Sequence, residues 1–422
     1  MVGKPKYKQS ELGVIPEDWN VVGLGSKCIL ITKGTTPTSI GKAFTETGVK
    51  FLKAETISES GKTISKKIAY IDDATNRIMQ RSQLMTDDLL ITIAGVLGRV
   101  GLIENKDLPA NINQALAIVR LKKNDKADRN FLFYTLQSSI IAKQINDINV
   151  QAAQANISLQ NVRDFLVALP PTVDEQKAIA RALSDTDALI EALEQLIAKK
   201  RQVKQGAMQE LLRPKEGWEL FELGDIADQN QQWSFTGGPF GSNLKSSDYK
   251  NDGVRIIQLQ NIGDGVFKDD YKIFTSVAKA NELMSCNIFP GEIILSKMGY
   301  PVARACIIPQ NSYRYLMCSD GIRLAVDKKR FDPYFIFTMI NSSSFRIKAE
   351  SASTGSTRKR IGLSELRHLT LSCPAIIKQN LIAETFYDME NEIAALEEKL
   401  AKTHLVKQGM MQELLTGRIR LV

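Results

Sequence analysis

The sequence predicts an α+β chain in which two mixed α/β globules are separated by two long helices, the whole built as an internal two-fold repeat. The first observation is a stretch free of proline between Val173 and Arg213, with apolar residues at Ile179, Leu183, Ile190, Leu193, Ile197 and Leu211 and Thr186 filling one slot. Steps of three and four lay one stripe along a helix. At about 1.5 Å per residue that helix is about 55 Å long, which points to a strut or a coiled coil. The second is that this stretch returns. Val203-Lys-Gln-Gly-Ala-Met-Gln-Glu-Leu-Leu212 recurs as Val406-Lys-Gln-Gly-Met-Met-Gln-Glu-Leu-Leu415, an offset of 203 residues in a chain of 422. The third is that the segments ahead of the two helices match in the same order, as short β-branched runs split by Gly, Asn and Asp.

Taken in order, Asp18-Trp19 and Leu24-Gly25 recur as Gly217-Trp218 and Leu223-Gly224, each behind a proline, Pro16 and Pro214. Glycine-rich turns follow, Lys33-Gly-Thr-Thr-Pro37 and Thr236-Gly-Gly-Pro-Phe-Gly-Ser242. Then come the strand pairs Gly48–Leu52 and Gly253–Ile257, Asp88–Ile93 and Glu292–Ser296, Val100–Ile103 and Ala305–Ile308, Ala115–Val119 and Gly321–Ala325. Helical segments Phe131–Ser139 and Phe335–Ser343 close each set, and last strands Phe165–Leu169 and Leu369–Cys373 lead through Pro170 and Pro374 into the long helices. The expected boundaries are 1–170 and 214–374 for the globules and 171–213 and 375–422 for the helices.

The second seam reads Ile382, Phe386, Met389, Ile393, Leu396, Leu400, Met410 and Leu414. Both seams turn polar in step, at Lys200 and Lys204 and at Thr403 and Lys407, and both carry a glycine, Gly206 and Gly409. Glycine inside a helix costs up to about 1 kcal/mol against alanine, so its repetition suggests close packing or a bend. The segments 58–86 and 263–285, and 104–114 and 309–320, diverge and are expected to be loops. One scaffold with different loops implies two related sites of different specificity.

Composition narrows the function. With 55 Lys plus Arg against 47 Asp plus Glu, the chain carries a formal charge of +8, which fits a polyanion partner. Hydrophobic residues make up 43% of it, enough for sizeable cores. Five scattered cysteines form no Cys-x-x-Cys pair, so neither a disulfide framework nor a zinc knuckle is indicated, and a reducing cytoplasm is the expected location. The start, Met1-Val-Gly-Lys-Pro-Lys-Tyr7, lacks the apolar core of a signal peptide. No run of about 18 apolar residues marks a membrane span. Neither histidine, His368 nor His404, sits in a metal motif. There is no Gly-x-x-x-x-Gly-Lys-Ser/Thr loop, no Asn/Asp-Pro-Pro-Tyr/Phe tetrapeptide and no Gly-x-Ser-x-Gly elbow. The acidic pairs Asp72-Asp73, Asp87-Asp88 and Asp269-Asp270 read as turn residues. The expectation is a binder without catalytic residues, metal or cofactor of its own.

In combination, several runs resemble the specificity (S) subunit of a Type I restriction–modification enzyme. They are Ile15-Pro-Glu-Asp-Trp19 followed by Leu24-Gly25, the junction Leu169-Pro-Pro followed by Glu175-Gln176, and the ending Met411-Gln-Glu-Leu-Leu-Thr-Gly-Arg-Ile-Arg-Leu421. The likeness spans essentially the whole chain. It departs at the second junction, where Lys378-Gln379 replaces Glu-Gln. A glutamate in the first helical turn is worth about 0.3–1 kcal/mol through the helix dipole, so little is expected of the exchange. The resemblance implies that each globule is a target recognition domain reading one half of a split, asymmetric site in double-stranded DNA. It implies that the long helices pack antiparallel, set the spacing and dock two methyltransferase (M) subunits. Adenine methylation with S-adenosylmethionine, and cleavage with ATP and Mg by restriction (R) subunits, then belong to those partners. The competing expectation, from another class, is a coiled-coil adaptor joining two protein-binding globules.

Reading bases needs donors and acceptors that reach base edges, while cations hold phosphates. In the first globule the candidates are Lys33, Thr35 and Thr36 in the glycine turn, Arg99, and Asn111, Asn113 and Gln114. In the second they are Ser242, Asn243 and Lys245, then Lys297, Tyr300 and Arg304. The run Ser353-Thr-Gly-Ser-Thr-Arg-Lys-Arg360 adds Arg358, Lys359 and Arg360, with glycine freeing backbone N–H groups for a phosphate.

Overall fold

The computed structural model describes residues 6–123, 126–150, 156–355 and 358–421. The chain divides into two compact units, Met1–Glu194 with Glu398–Val422, and Gln195–Glu397. The long helices Val173–Leu211 and Ile376–Leu414 both cross this division, so each unit holds one globule and part of each helix.

In the first unit a four-stranded antiparallel sheet has the order Cys28–Lys33, Leu116–Leu121, Leu89–Thr92, Val100–Leu102. Successive side chains of a strand point to opposite faces, and both faces here are covered. Leu89, Ile91, Ala117 and Val119 pack with Phe131, Leu132 and Leu136 of helix Arg129–Leu136. Leu90, Leu116 and Ile118 pack with Leu52 and Ile112 of a second sheet, ordered Ala69–Ile71, Val49–Leu52, Ala110–Ile112, whose last two strands run parallel. The second unit repeats the plan. Phe235–Gly237, Gly321–Leu324, Ile293–Ser296 and Ala305–Ile307 form its main sheet. Val254–Ile257 pairs in parallel with Tyr315–Met317 beneath it.

The repeat is therefore deeper than the framework runs show. The segments expected to be loops carry matched elements: strand Ala69–Ile71 and helix Asp73–Ile78 in one, Ile273–Thr275 and Val277–Glu282 in the other. The strands Ala110–Ile112 and Tyr315–Met317 also lie in such segments. Periodicity misses strands of three residues because they span less than two alternations. A second helix, Ser139–Asn149 or Ser343–Ser351, follows each expected helical segment.

One buried amide joins globule to helix in each unit. Gln176, 1% exposed, accepts from the Asp128 amide at 2.7 Å and donates to the carbonyls of Lys126 (2.9 Å) and Pro170 (3.3 Å). Gln379 accepts from the Asp332 amide at 3.0 Å and donates to Pro374 and Arg330. Asp128 and Asp332 in turn cap the helices Arg129–Leu136 and Pro333–Ile340. The repeated glutamine thus satisfies backbone groups that would otherwise be buried unpaired.

The long helices run antiparallel in both units. Asp187 meets Lys407 at 2.6 Å and Thr186 meets the Met410 sulfur at 3.5 Å. In the second unit Lys200 meets Glu392 at 2.6 Å and Lys204 meets Glu390. Ile179, Leu183, Ile190, Leu193 and Ile197 are buried as the stripe requires. The packing expected at Gly206 and Gly409 is absent: a Cβ at either position would meet nothing within 4 Å, and both helices continue through them. The expectation for Glu175 also needs correction. Its carboxylate is 1% exposed and pairs with Arg420, which also holds Asp18 at 3.0 and 3.1 Å. It is a buried ion pair and not a dipole effect. At the repeat offset the second unit has Lys378 and Gly217 in these places, so both partners are lost together.

Candidate nucleic-acid interface

Two glycines build the site by close approach. In the first unit Gly34 ends the strand Cys28–Lys33 against the connection 111–114, and a Cβ there would lie 1.8 Å from the Ile112 carbonyl oxygen. In the second, a Cβ on Gly238 would lie 1.7 Å from that of Cys318. No side chain fits either place. The turn after each glycine is thereby pinned to the turn before the central strand, Asn113–Ala115 or Cys318–Asp320.

A third turn joins them, between Thr92 and Arg99 or between Ser296 and Arg304. The amide of Ile93 donates to Ala115 at 2.8 Å, and that of Lys297 to Asp320 at 2.7 Å. A fourth segment pairs with it through Ala94 and Asn156, or Met298 and Arg360. Both units therefore gather four equivalent segments at one end of the main sheet. Such an end, carried by a rigid sheet and varied in its loops, is where binding residues concentrate.

Of the candidates in the first unit, Lys33 and Gln114 are exposed, Thr35, Thr36 and Asn113 are half-buried, and Thr36 bonds Gln114. Arg81, which sequence reasoning missed, joins them by donating to the Lys33 carbonyl at 3.5 Å. Asn111 does not belong to the surface. It is fully buried, and its amide donates to Asn76 (2.9 Å) and Met79 (3.1 Å). Arg99 points toward the Ile57 carbonyl and Glu59, at 3.4 and 3.7 Å.

In the second unit Lys297 is half-buried and donates to the Ser319 carbonyl at 3.2 Å. Burial, with Arg360 nearby, holds its ammonium below the ordinary lysine value. Arg358 is exposed, Lys359 pairs with Glu350 at 2.6 Å and Arg360 with Asp320 at 3.3 Å. Ser356 and Thr357 of the hydroxyl-rich run lie outside the described residues. Arg304 turns inward and donates to the carbonyls of Ile262 (2.6 Å), Leu259 (3.1 Å) and Met298 (3.3 Å), so it braces the turn and does not face solvent as a free cation. Tyr300, at the tip, is exposed. Ser242, Asn243 and Lys245 are exposed further along, where Leu244 roots the segment among Val254, Ile256 and Leu316.

The two sites differ in how a cation is delivered. Strand registers place Lys33 and Gly237 at equivalent positions, opposite Ala117 and Ile322. Where the second unit has this glycine, the Lys297 ammonium lies 2.6 Å from the site of the missing Cβ. Its own counterpart in the first unit is the buried Ile93. Among the described residues no group of three or more His, Cys, Asp or Glu is placed to hold a metal ion. No helix among them is long and apolar enough to cross a membrane.

Comparison with known proteins matches the family model described as the Type I restriction modification DNA specificity domain twice, over residues 16–202 and 215–403. A putative type I restriction enzyme specificity subunit, MjaX, from Methanocaldococcus jannaschii is 26% identical, covering 98% of this chain and 96% of its own. The MjaVIII specificity subunit from the same organism is 23% identical over 96% and 94%. Among solved structures, the S subunit of a Type-I restriction-modification system from M. genitalium aligns with a TM-score of 0.56 at 16% identity, over 97% of this chain and 98% of that one. A chain from a structure on complex assembly and conformational transition of the type I R-M system aligns with a TM-score of 0.59 at 16% identity, over 96% and 99%. At that identity the two structures show a shared fold.

Proposed function

Because the chain belongs to the Type I restriction–modification DNA specificity family, we propose that it is the non-catalytic, sequence-reading subunit of such a complex, acting in the cytoplasm. Each globule reads one half of a bipartite, asymmetric site in double-stranded DNA. The long helices fix the interval between the halves and carry two methyltransferase subunits, and restriction subunits join the assembly. S-adenosylmethionine, ATP and Mg are used by those partners. The observation that carries this reading is the pair of equivalent four-segment ends, copied in backbone and different in side chains. A homodimer with identical ends would read a palindrome; unlike ends within one chain call for an asymmetric site. Half-sites read from one face of B-DNA lie about 34–36 Å apart, a distance within the span of a helix about 55 Å long.

The test is the adenine-methylation pattern of a host that carries this chain with its cognate methyltransferase subunits. A split asymmetric motif that vanishes when the chain is deleted is the expected result. Methylation without such a motif, or unaffected by the deletion, would leave the protein-adaptor reading.

A further inference from the structure

The turns Thr92–Arg99 and Ser296–Arg304 each present an apolar or aromatic side chain to solvent, and the framework gives no account of either. Val96 is 56% exposed and Tyr300 is 87% exposed. The two residues occupy one place in the two folds. In the first turn the Gly98 amide donates to Thr92 at 3.0 Å and the Ile157 amide to Ile93 at 2.9 Å. In the second the Ala303 amide donates to Ser296 at 3.1 Å and the Ile361 amide to Lys297 at 2.9 Å. Counting outward from these bonds through Gly95 and Gly299, both with positive φ, reaches Val96 in one turn and Tyr300 in the other.

Both turns are braced before any ligand arrives. The Thr92 hydroxyl donates to the Val96 carbonyl at 2.5 Å and accepts from the Arg99 amide at 2.8 Å. In the second unit the Arg304 guanidinium reaches three carbonyls, and the Gly299 amide donates to Lys359 at 3.2 Å. A stiff backbone holding one exposed side chain loses little conformational freedom when that side chain meets a surface. Lys297, Lys359 and Arg360 flank the second turn, and in the first unit Lys33 is exposed at the same end of the sheet. A groove of DNA with phosphates on its rim matches that layout.

Resting on the reading above, we infer that Val96 and Tyr300 are the equivalent specificity-determining residues of the two domains, each held against a base edge of its own half-site. The Val96 isopropyl group suits the C5-methyl of thymine. Tyr300 adds a hydroxyl that both donates and accepts. Arg304, chosen from sequence as a base reader, is the positioning residue behind Tyr300, through the Met298 carbonyl of the same turn.

Wild type, Val96→Ala and Tyr300→Ala are each expressed with the cognate methyltransferase subunits, and the methylated motif is read genome-wide. The Val96→Ala motif is expected to lose definition at one base pair of one half-site, and the Tyr300→Ala motif at one base pair of the other. Discrimination at that pair falls on the order of tenfold, with the interval between halves unchanged. Oligonucleotides carrying deoxyuridine for single thymines supply a second readout. One such replacement weakens binding by the wild-type complex and leaves the Val96→Ala complex indifferent. Unchanged motifs in both variants, or one variant altering both halves, overturn the inference. A wild-type complex that methylates no split motif overturns the reading beneath it instead. Val96→Thr and Tyr300→Phe keep the shape of each side chain and show that any loss comes from the contact and not from folding.

Discussion

Arg420 reaches Asp18 and Glu175 together and lies 6.0 Å from the centre of the Trp19 ring, so its loss leaves the Glu175 carboxyl group buried without its ion-pair partner. Breaking a buried pair from one side costs about 3–5 kcal/mol. Arg420 keeps 18% of its side chain exposed, so Arg420→Ala is expected near the lower figure, and adding Glu175→Gln should restore part of it. Denaturant unfolding of the wild type and the two variants checks this; a loss below about 1 kcal/mol would place the pair among ordinary surface bridges. The cations at Arg358, Lys359 and Arg360 call for another measurement. Lys359 pairs with the exposed Glu350 and the exposed Arg360 with the half-buried Asp320; pairs with an exposed member are worth little, so a phosphate can displace them. Replacing all three by alanine should weaken binding to every DNA sequence. It should also lower the slope of log affinity against log salt by about one to three, at about 0.9 per phosphate lost. An unchanged slope removes them from the interface. The expectation for that cluster rests on sequence alone, since three cations beside a glycine need no tertiary information to be seen. The burial of Asn111 and the inward turn of Arg304 were not legible, for the converse reason. Nothing local tells whether an amide or guanidinium turns outward or toward buried carbonyls.

The helices were the most legible elements, since a stripe of this length allows one period only. Their polar break was visible too, but its purpose was not. Lys407 meets Asp187 and Lys204 meets Glu390, pairs related by the repeat offset. Each carboxylate also accepts a phenol, from Tyr134 in the first unit and Tyr334 in the second. The tyrosines are not repeat-equivalent: Tyr334 falls at the place of Asn130, one helical turn before Tyr134, on the same face. Burial, together with the facing carboxylate, pushes both phenols far above their ordinary value, so they remain donors. The same polar node has been assembled twice from different residues, as expected if it fixes the helix register. Asp187→Leu should cost about 1–3 kcal/mol, and the pair Asp187→Leu with Lys407→Met less than the single change. A double-mutant cycle measures the coupling, and zero coupling would refute the lock. The node also governs a length test. Four residues inserted near 195 add about 6 Å to the first helix but move its half of every pair. The same insertion near 398 should restore the pairing. The doubly lengthened chain is expected to recognise half-sites set further apart by a base pair or so, as a methylation pattern would show. An unaltered interval would mean that the helices do not set it.

At the scale of the whole chain, what the sequence disclosed was the duplication, and what it concealed was how much of the divergent sequence is still framework. Short strands and single-turn helices at 69–78 and 273–282 carry no period of their own and are held by the sheets they join. Each unit keeps a separate main core, one around Trp19, Phe131 and Leu183 and one around Phe335, Phe386 and Ile382. The contact from long helix to globule is also portable. Gln176 bonds to the backbone of residues 126, 128 and 170, so any relative with the same chain path can satisfy it. Exchanging residues 30–165 for those of another family member should therefore preserve folding, because the Asn20–Gly23 and Leu166–Leu169 pair and the helix seam stay with the recipient. With the cognate methyltransferase subunits, the exchanged chain is expected to adopt the donor's half-site at one end of its motif. The half-site read by 214–374 and the interval should both be retained. If both half-sites change, the domains do not read independently. If neither changes, the residues that choose bases lie outside 30–165, and the four-segment end of the first unit is not where DNA is read.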